Sequence, residues 1–101
     1  MYYIFTEDEL SKLTQRAEIF DFVIRSDKKV YDYMIVIDMM RVFRVRAINK
    51  VSLLQFLKLK YKMNISNSSF ETRGYPKNDG RYGKVWETDY NNSHIQIYRL
   101  N

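Results

Sequence analysis

Three segments in the first half of the chain have the residue patterns of β-strands. Residues Ile19–Arg25 place Phe20, Phe22 and Ile24 at every second position, which indicates a strand with one apolar face. The other two segments are rich in β-branched and aromatic residues and span Val30–Asp38 and Arg41–Ile48. The polar residues 26–29 predict a turn between the first two. Because the connections are short, we expect a three-stranded antiparallel meander.

A helix is predicted before these strands. Thr6 and Glu9 have the spacing of a capping box, in which Thr6 is the N-cap and Glu9 reaches back to it. Apolar residues then recur at helical spacing, so we expect a helix over Glu7–Glu18. The apolar residues Tyr2–Phe5 predict a short strand before it.

The segment after Asn49 fits two structures. Residues 57–65 alternate between apolar and polar side chains, which alone favours a strand. Ser52 and Gln55, however, have capping-box spacing, and leucine and lysine favour helices. We therefore predict a helix over Leu53–Met63 and keep the strand as the alternative.

The C-terminal part of the chain predicts a loop followed by a hairpin. All three glycines and the only proline lie between Gly74 and Gly83, so Asn64–Lys84 is expected to form a long loop. Residues Val85–Tyr90 and Ile95–Leu100 then predict a hairpin around residues 91–93. The 101 residues are thus expected to form one small α+β domain, with a meander, a hairpin and two helices.

Composition excludes several kinds of site. The chain has no cysteine and a single histidine, His94, which excludes disulfides, thiolate metal sites and multi-histidine metal sites. No apolar run approaches the roughly 18 residues needed to cross a bilayer, and the N-terminal segment is acidic, unlike a signal peptide. We expect a cytoplasmic protein that has no cofactor, no metal and no membrane contact.

Positive charge is concentrated in the middle of the chain. The net charge is +5 overall, but residues 25–64 contain ten basic and three acidic side chains, a balance of +7. A basic domain attracts polyanions through its summed field. The alternative is that these charges only keep the protein soluble.

The candidate nucleic-acid-binding residues combine cations with tyrosines. Phosphates attract cations and unstacked bases stack on aromatic rings, so such a mixture suits single-stranded DNA or RNA. Arg44 and Arg46 share one face of a predicted strand, and the other candidates lie in or next to the predicted loop. The full set is Arg44, Arg46, Arg73, Tyr75, Lys77, Arg81, Tyr82 and Lys84.

A second hypothesis is a protein interface on the second helix. Phe56, Leu59 and Met63 are predicted to lie opposite the core-facing leucines, where a host protein or a second copy of the chain would cover them. The many Lys, Asn, Ile and Tyr residues resemble the composition of small phage and mobile-element proteins. That resemblance implies a modulator that binds and inhibits a host or defence protein.

Evidence for catalysis in the sequence is thin, and we predict no enzyme. Glu87 and Asp89 face the same way on a predicted strand, but such acid pairs on a surface are usually inert. His94 has no partner that the sequence identifies, and no phosphate loop, serine elbow or zinc spacing is present. A metal-independent ribonuclease built from Arg, Lys, Tyr and His side chains remains the enzymatic alternative.

Overall fold

The computed structural model describes residues 2–22 and 27–100. In this part of the chain, two helices flank a six-stranded mixed sheet with the strand order β1-β3-β2-β6-β5-β4. The helices are α1 (Glu7–Thr14) and α2 (Lys50–Tyr61). The strands are β1 (Glu18–Asp21), β2 (Tyr31–Ile37), β3 (Arg41–Ala47), β4 (Glu71–Pro76), β5 (Tyr82–Tyr90) and β6 (Ser93–Arg99). The α+β class is therefore confirmed.

Side-chain capping starts both helices, but only α1 begins at the predicted capping box, since α2 is capped by Asn49 and not by Ser52. The capping box of α1 is present, since the Thr6 side chain accepts from the Glu9 amide and the Glu9 carboxylate accepts from the Thr6 amide. This helix ends at Thr14, before the predicted Glu18. The N-cap of α2 is Asn49, whose side chain accepts from the Ser52 amide at 2.8 Å. The helix over residues 50–61 rules out the strand alternative there.

The sheet is mixed because β1 lies beside β3 and runs parallel to it. The expectation of an antiparallel neighbour for this strand, and hence of a purely antiparallel sheet, is wrong. Beside β3, the ring of Phe20 reaches Phe43 and Phe56, with centroids 6.2 and 5.4 Å away. The predicted continuation of this strand at residues 23–25 and Ser26 of the predicted turn lie outside the described residues.

The segment predicted as a loop over Asn64–Lys84 contains a strand instead. After a 3-10 turn at Asn67–Ser69, β4 pairs antiparallel with β5, which itself begins at Tyr82 rather than Val85. The pairing satisfies the backbone hydrogen bonds that an extended loop would leave to water. The predicted C-terminal hairpin is confirmed, and its turn residues Asn91 and Asn92 both have positive φ, as a type I′ turn requires.

The predicted strand over Tyr2–Phe5 is also replaced by a different arrangement. The Tyr3 carbonyl accepts from the Gln96 side chain at 2.8 Å, and the Phe5 amide donates to the Tyr98 hydroxyl at 3.1 Å. These backbone groups therefore bond to side chains of β6 and not to a neighbouring strand, so the segment crosses the sheet without joining it.

Both faces of the sheet are covered, and the sheet separates two hydrophobic cores. The α2 face of the sheet includes Ile35, Val45 and Ile97, which pack with the leucines of α2. The α1 face includes Met34, Val85 and Tyr98, which pack with Leu10 of α1. Since side chains alternate along a strand, every strand residue can be assigned to one of these two faces.

Candidate nucleic-acid interface

The residues predicted to bind nucleic acid do not form one surface. Arg44 and Arg73 pair in register with Met34 and Val85, which belong to the core of the α1 face. Lys84 pairs with Arg99 and lies one position from Val85, so it points to the α2 face. Alternation places Arg46 and Tyr75 on the α1 face and Tyr82 on the α2 face. Lys77 and Arg81 flank the turn between β4 and β5.

The three arginines on the α1 face are paired with carboxylates. Arg44 forms a salt bridge with Asp32, which raises the pKa of its guanidinium. Arg46 lies 3.4 Å from an oxygen of Asp21. Arg73 donates to Glu87 at 2.9 Å. Local acids therefore offset the charge that these arginines would offer to phosphates.

The prediction that Tyr75 stacks on a base is contradicted by its burial. Only 1% of this residue is exposed, and its ring packs edge-on against Tyr98 at 5.6 Å. Its hydroxyl donates to the Arg99 carbonyl at 2.6 Å. Burial raises the pKa of this phenol. Tyr75 is a core residue because the β4–β5 pairing, which the loop prediction missed, turns its ring inward.

A group of cations and aromatic rings instead meets on the α2 face, beyond the part that α2 covers. Tyr31 lies at its centre: the Lys29 ammonium is 5.1 Å from the centroid of this ring, and the Arg99 guanidinium carbon is 4.9 Å from it. Lys84 is the register partner of Arg99 on the neighbouring strand. We call this surface the basic–aromatic face; it consists of Lys29, Tyr31, Lys50, Tyr82, Lys84, Trp86 and Arg99.

Trp86 and Lys50 extend the basic–aromatic face toward the start of α2. The Lys50 ammonium lies 5.0 Å from the Trp86 ring and 4.9 Å from the Phe70 ring. Burial between these rings lowers the pKa of Lys50. Sequence reasoning missed this pair because β5 and the start of α2 are distant in the chain. The available signal was the alternation of Tyr82, Lys84 and Trp86, which places all three on one side of a strand.

The two faces of the sheet differ in their acidic residues. Within the described strands, the positions of β2, β4, β5 and β6 that point to the α2 face carry no Asp or Glu. The α1 face of the same strands carries Asp32, Glu71, Glu87 and Asp89. The cations of the basic–aromatic face therefore have no acidic neighbour on the same side of these four strands.

The turn between β4 and β5 adds a concave site at the end of this face. A cavity of about 250 Å³ is lined by Lys77, Arg81, Tyr82, Gly83, Lys84 and Arg99. Arg81 donates to Asp79 at 2.6 Å, so one of the four cations is neutralised locally. The Tyr82 side chain extends into solvent, with 74% of the residue exposed. Four of the predicted binding residues do therefore meet here.

The acids and the histidine that the sequence left without partners form a cluster on the α1 face, in which His94 and Glu87 are buried and Asp89 is exposed. The two ring nitrogens of His94 lie 3.0 Å from Asp89 and 3.1 Å from Glu87. Tyr2 stacks on the imidazole, with ring centroids 3.5 Å apart. The expectation that Glu87 lies on the surface is wrong, since it is buried.

Hydrogen bonds hold Glu87 in its charged form. Burial raises the pKa of this carboxylate, but the bonds from Gln96, Arg73 and His94 outweigh that effect and leave the pKa below its usual value. A cavity of about 780 Å³, lined by Tyr2, Arg73, Glu87 and His94 among others, opens beside the cluster. Every polar atom of Glu87 and His94 is already bonded within the protein, so the cluster fastens β5 to β6 and to the N-terminal segment.

The predicted protein interface on α2 is wrong for Phe56. This ring is 6% exposed and packs against Phe20 and Phe22 at 5.4 and 5.6 Å, because β1 lies under this side of the helix. Met63 is partly buried against the same core. Leu59 is exposed by 73% and is the one member of the trio that faces solvent. A single leucine does not make an apolar face.

Among the described residues, no group of three or more His, Asp or Glu side chains could hold a metal ion. Among the same residues, no helix is long and apolar enough to cross a membrane. Comparison of the chain with protein-family models, with curated proteins and with solved structures finds no match.

Proposed function

We propose that this protein binds single-stranded nucleic acid, RNA or DNA, through the basic–aromatic face. The observation that carries the proposal is the contact of Lys29 and Arg99 with the ring of Tyr31, beside Lys84 on the next strand. This arrangement gathers cations for neighbouring phosphates around Tyr31, and the exposed ring of Tyr82 on the same face offers a π-face for a base. Each base–aromatic stack is worth about 1–3 kcal/mol, and stacking tolerates any base.

The distribution of charge supports nucleic acid over an apolar partner. Cations on a face without strand acids attract phosphates from a distance and release counterions when the complex forms. The apolar face of α2 that would support a protein partner is incomplete, because Phe56 is buried in the core. We expect the basic–aromatic face to bind nucleic acid without catalysing a reaction.

Trp86 is the only tryptophan of the chain, so its fluorescence reports on this face directly. The experiment titrates the protein with a single-stranded oligonucleotide and with a duplex of the same sequence at several salt concentrations. We expect the single strand to quench Trp86 and the affinity to fall steeply with salt.

A charge-matched pair of variants tests the location. Lys84→Gln removes one cation from the basic–aromatic face, and Arg46→Gln removes one from the opposite face, where Arg46 is also exposed. We expect Lys84→Gln to weaken binding and to reduce the salt slope by about 1, and Arg46→Gln to change neither. Equal weakening by both variants, or quenching that does not depend on salt, would overturn the proposal.

A further inference from the structure

Hydrogen bonds fix the backbone of the β4–β5 turn, which lines the cavity. The Lys77 amide donates to the Arg81 carbonyl at 2.9 Å, and the Gly80 amide donates to the Lys77 carbonyl at 3.1 Å. Gly80 has φ of +80°, a conformation that suits glycine. The Asn78 amide also donates to Glu7 of α1 at 2.6 Å, which ties the turn to the body of the domain. Hydrogen bonds therefore fix the backbone of the turn between Lys77 and Arg81 before a ligand binds.

The charge around the cavity exceeds what local acids balance. Asp79 is paired with Arg81, and Glu7 accepts the hydrogen bond of the Asn78 amide. Within the described residues, no carboxylate forms a salt bridge with Lys77, Lys84 or Arg99. Three cations thus converge on a space of about 250 Å³. Such a space is large enough for one phosphate with part of its nucleoside.

The charge of the ligand distinguishes an internal phosphate from a terminal one. A phosphodiester carries a single negative charge, whereas a phosphate monoester carries about −1.5 to −2 at pH 7 and offers three oxygens as acceptors. Three converging cations favour the monoester, because the Coulomb energy grows with the charge of the ligand. A terminal phosphate is also free to enter a concave site that a continuous chain would have to cross.

Tyr82 is placed to stack on the base next to that phosphate. A Cβ built at Gly74 would contact the Tyr82 side chain at 3.4 Å, so the tyrosine lies along the surface of β4. The residue is nevertheless highly exposed, which leaves a face of the ring for a base. We propose that this cavity binds the terminal phosphate monoester of a single strand whose last base stacks on Tyr82. The inference rests on the proposed function and adds that the protein recognises a strand end.

The test compares three single-stranded oligonucleotides of one sequence, which carry a 5′-phosphate, a 3′-phosphate or hydroxyls at both ends. Binding is measured by fluorescence anisotropy at fixed salt. We expect one phosphorylated oligonucleotide to bind about tenfold more tightly than the hydroxyl-ended one, and the arm that gains affinity identifies the strand end. Inorganic phosphate should reduce that advantage.

Two lysine variants locate the effect. Lys77→Gln should abolish the preference, so that the phosphorylated and the hydroxyl-ended strands bind this variant with equal affinity. Lys58→Gln, which removes an exposed cation from α2, should retain the preference. Equal affinity for all three oligonucleotides would overturn the inference while the proposed function stands. Binding of none of them would overturn both.

Discussion

The ring of Tyr75 occupies the space directly beside Gly83, its register partner on β5. A Cβ added at position 83 would overlap the Cζ and Cε1 atoms of that ring. The same tyrosine donates from its hydroxyl to the Arg99 carbonyl on β6. One buried side chain therefore spans β5 and links the edge strand β4 to β6, and the absence of a side chain at Gly83 makes this possible.

Replacing Gly83 should therefore destabilise the domain. In Gly83→Ala the Tyr75 ring must move and lose its bond to Arg99, and overpacking of this kind costs about 1–3 kcal/mol or more. Gly74→Ala is the matched control, because its new methyl group would make ordinary contacts of 3.4–3.6 Å with its neighbours. Urea unfolding of both variants measures the difference. A Gly83→Ala protein as stable as Gly74→Ala would contradict this account of the β4 edge.

The elements that local signals define were predictable. The capping box at Thr6 places α1, and the β-branched and aromatic residues of β2 and β3 give the right strands within one residue at each end. The hairpin of β5 and β6 follows from the two asparagines of its turn. In each case the residues that decide the structure lie within about ten positions of one another in the chain.

The placements that depend on distant contacts were not predictable. The glycine and proline of β4 predict a loop, yet pairing with β5 outweighs that preference. The position of β1 beside β3 depends on Phe20 reaching Phe43 and Phe56. For the same reason the sequence named Lys84 and Tyr82 but missed Lys50 and Trp86, which meet only in the folded chain.

Substitutions at Phe56 and at Leu59 of α2 should differ greatly in their effect on stability. Phe56→Ala removes a buried ring that contacts Phe20, Phe22 and Tyr61, so we expect a loss of about 3–5 kcal/mol. Leu59→Glu changes an exposed position and should alter the free energy of unfolding by no more than about 0.5 kcal/mol. Thermal melts measure both, and size-exclusion chromatography of Leu59→Glu checks for a dimer. If this variant dissociates a dimer of the parent protein, Leu59 is part of an interface.

The arginines of β3 should differ in their contribution to stability. Arg44 and its partner Asp32 are both partly buried, so Arg44→Gln should cost about 1–2 kcal/mol. Arg46 and Asp21 are both well exposed, and pairs of this kind contribute about 0–1 kcal/mol. Chemical unfolding of the two single variants makes the comparison. Equal losses would mean that burial of the Asp32 pair has no energetic consequence.

The Glu87 cluster should make stability depend on acid pH. The pKa of the Glu87 carboxylate in the folded protein lies below its ordinary value of 4.5. The unfolded chain therefore binds a proton at Glu87 more readily than the folded one. The resulting stabilisation is fully present above about pH 4.5 and is lost as the pH falls through the lower pKa of the folded state. In Glu87→Gln the neutral amide cannot titrate, so the melting temperature should start lower at neutral pH and fall less between about pH 5 and pH 3.

The acid prediction needs a control that separates this cluster from the general effect of protonating carboxylates. Glu71 lies opposite Glu87 in the β4–β5 register but is exposed. Glu71→Gln should therefore keep the acid dependence of the parent protein, because Glu71 is exposed and is not among the groups that bond to one another around Glu87. If Glu87→Gln loses stability in acid as steeply as Glu71→Gln, the bonds from Gln96, Arg73 and His94 do not favour the ionised carboxylate.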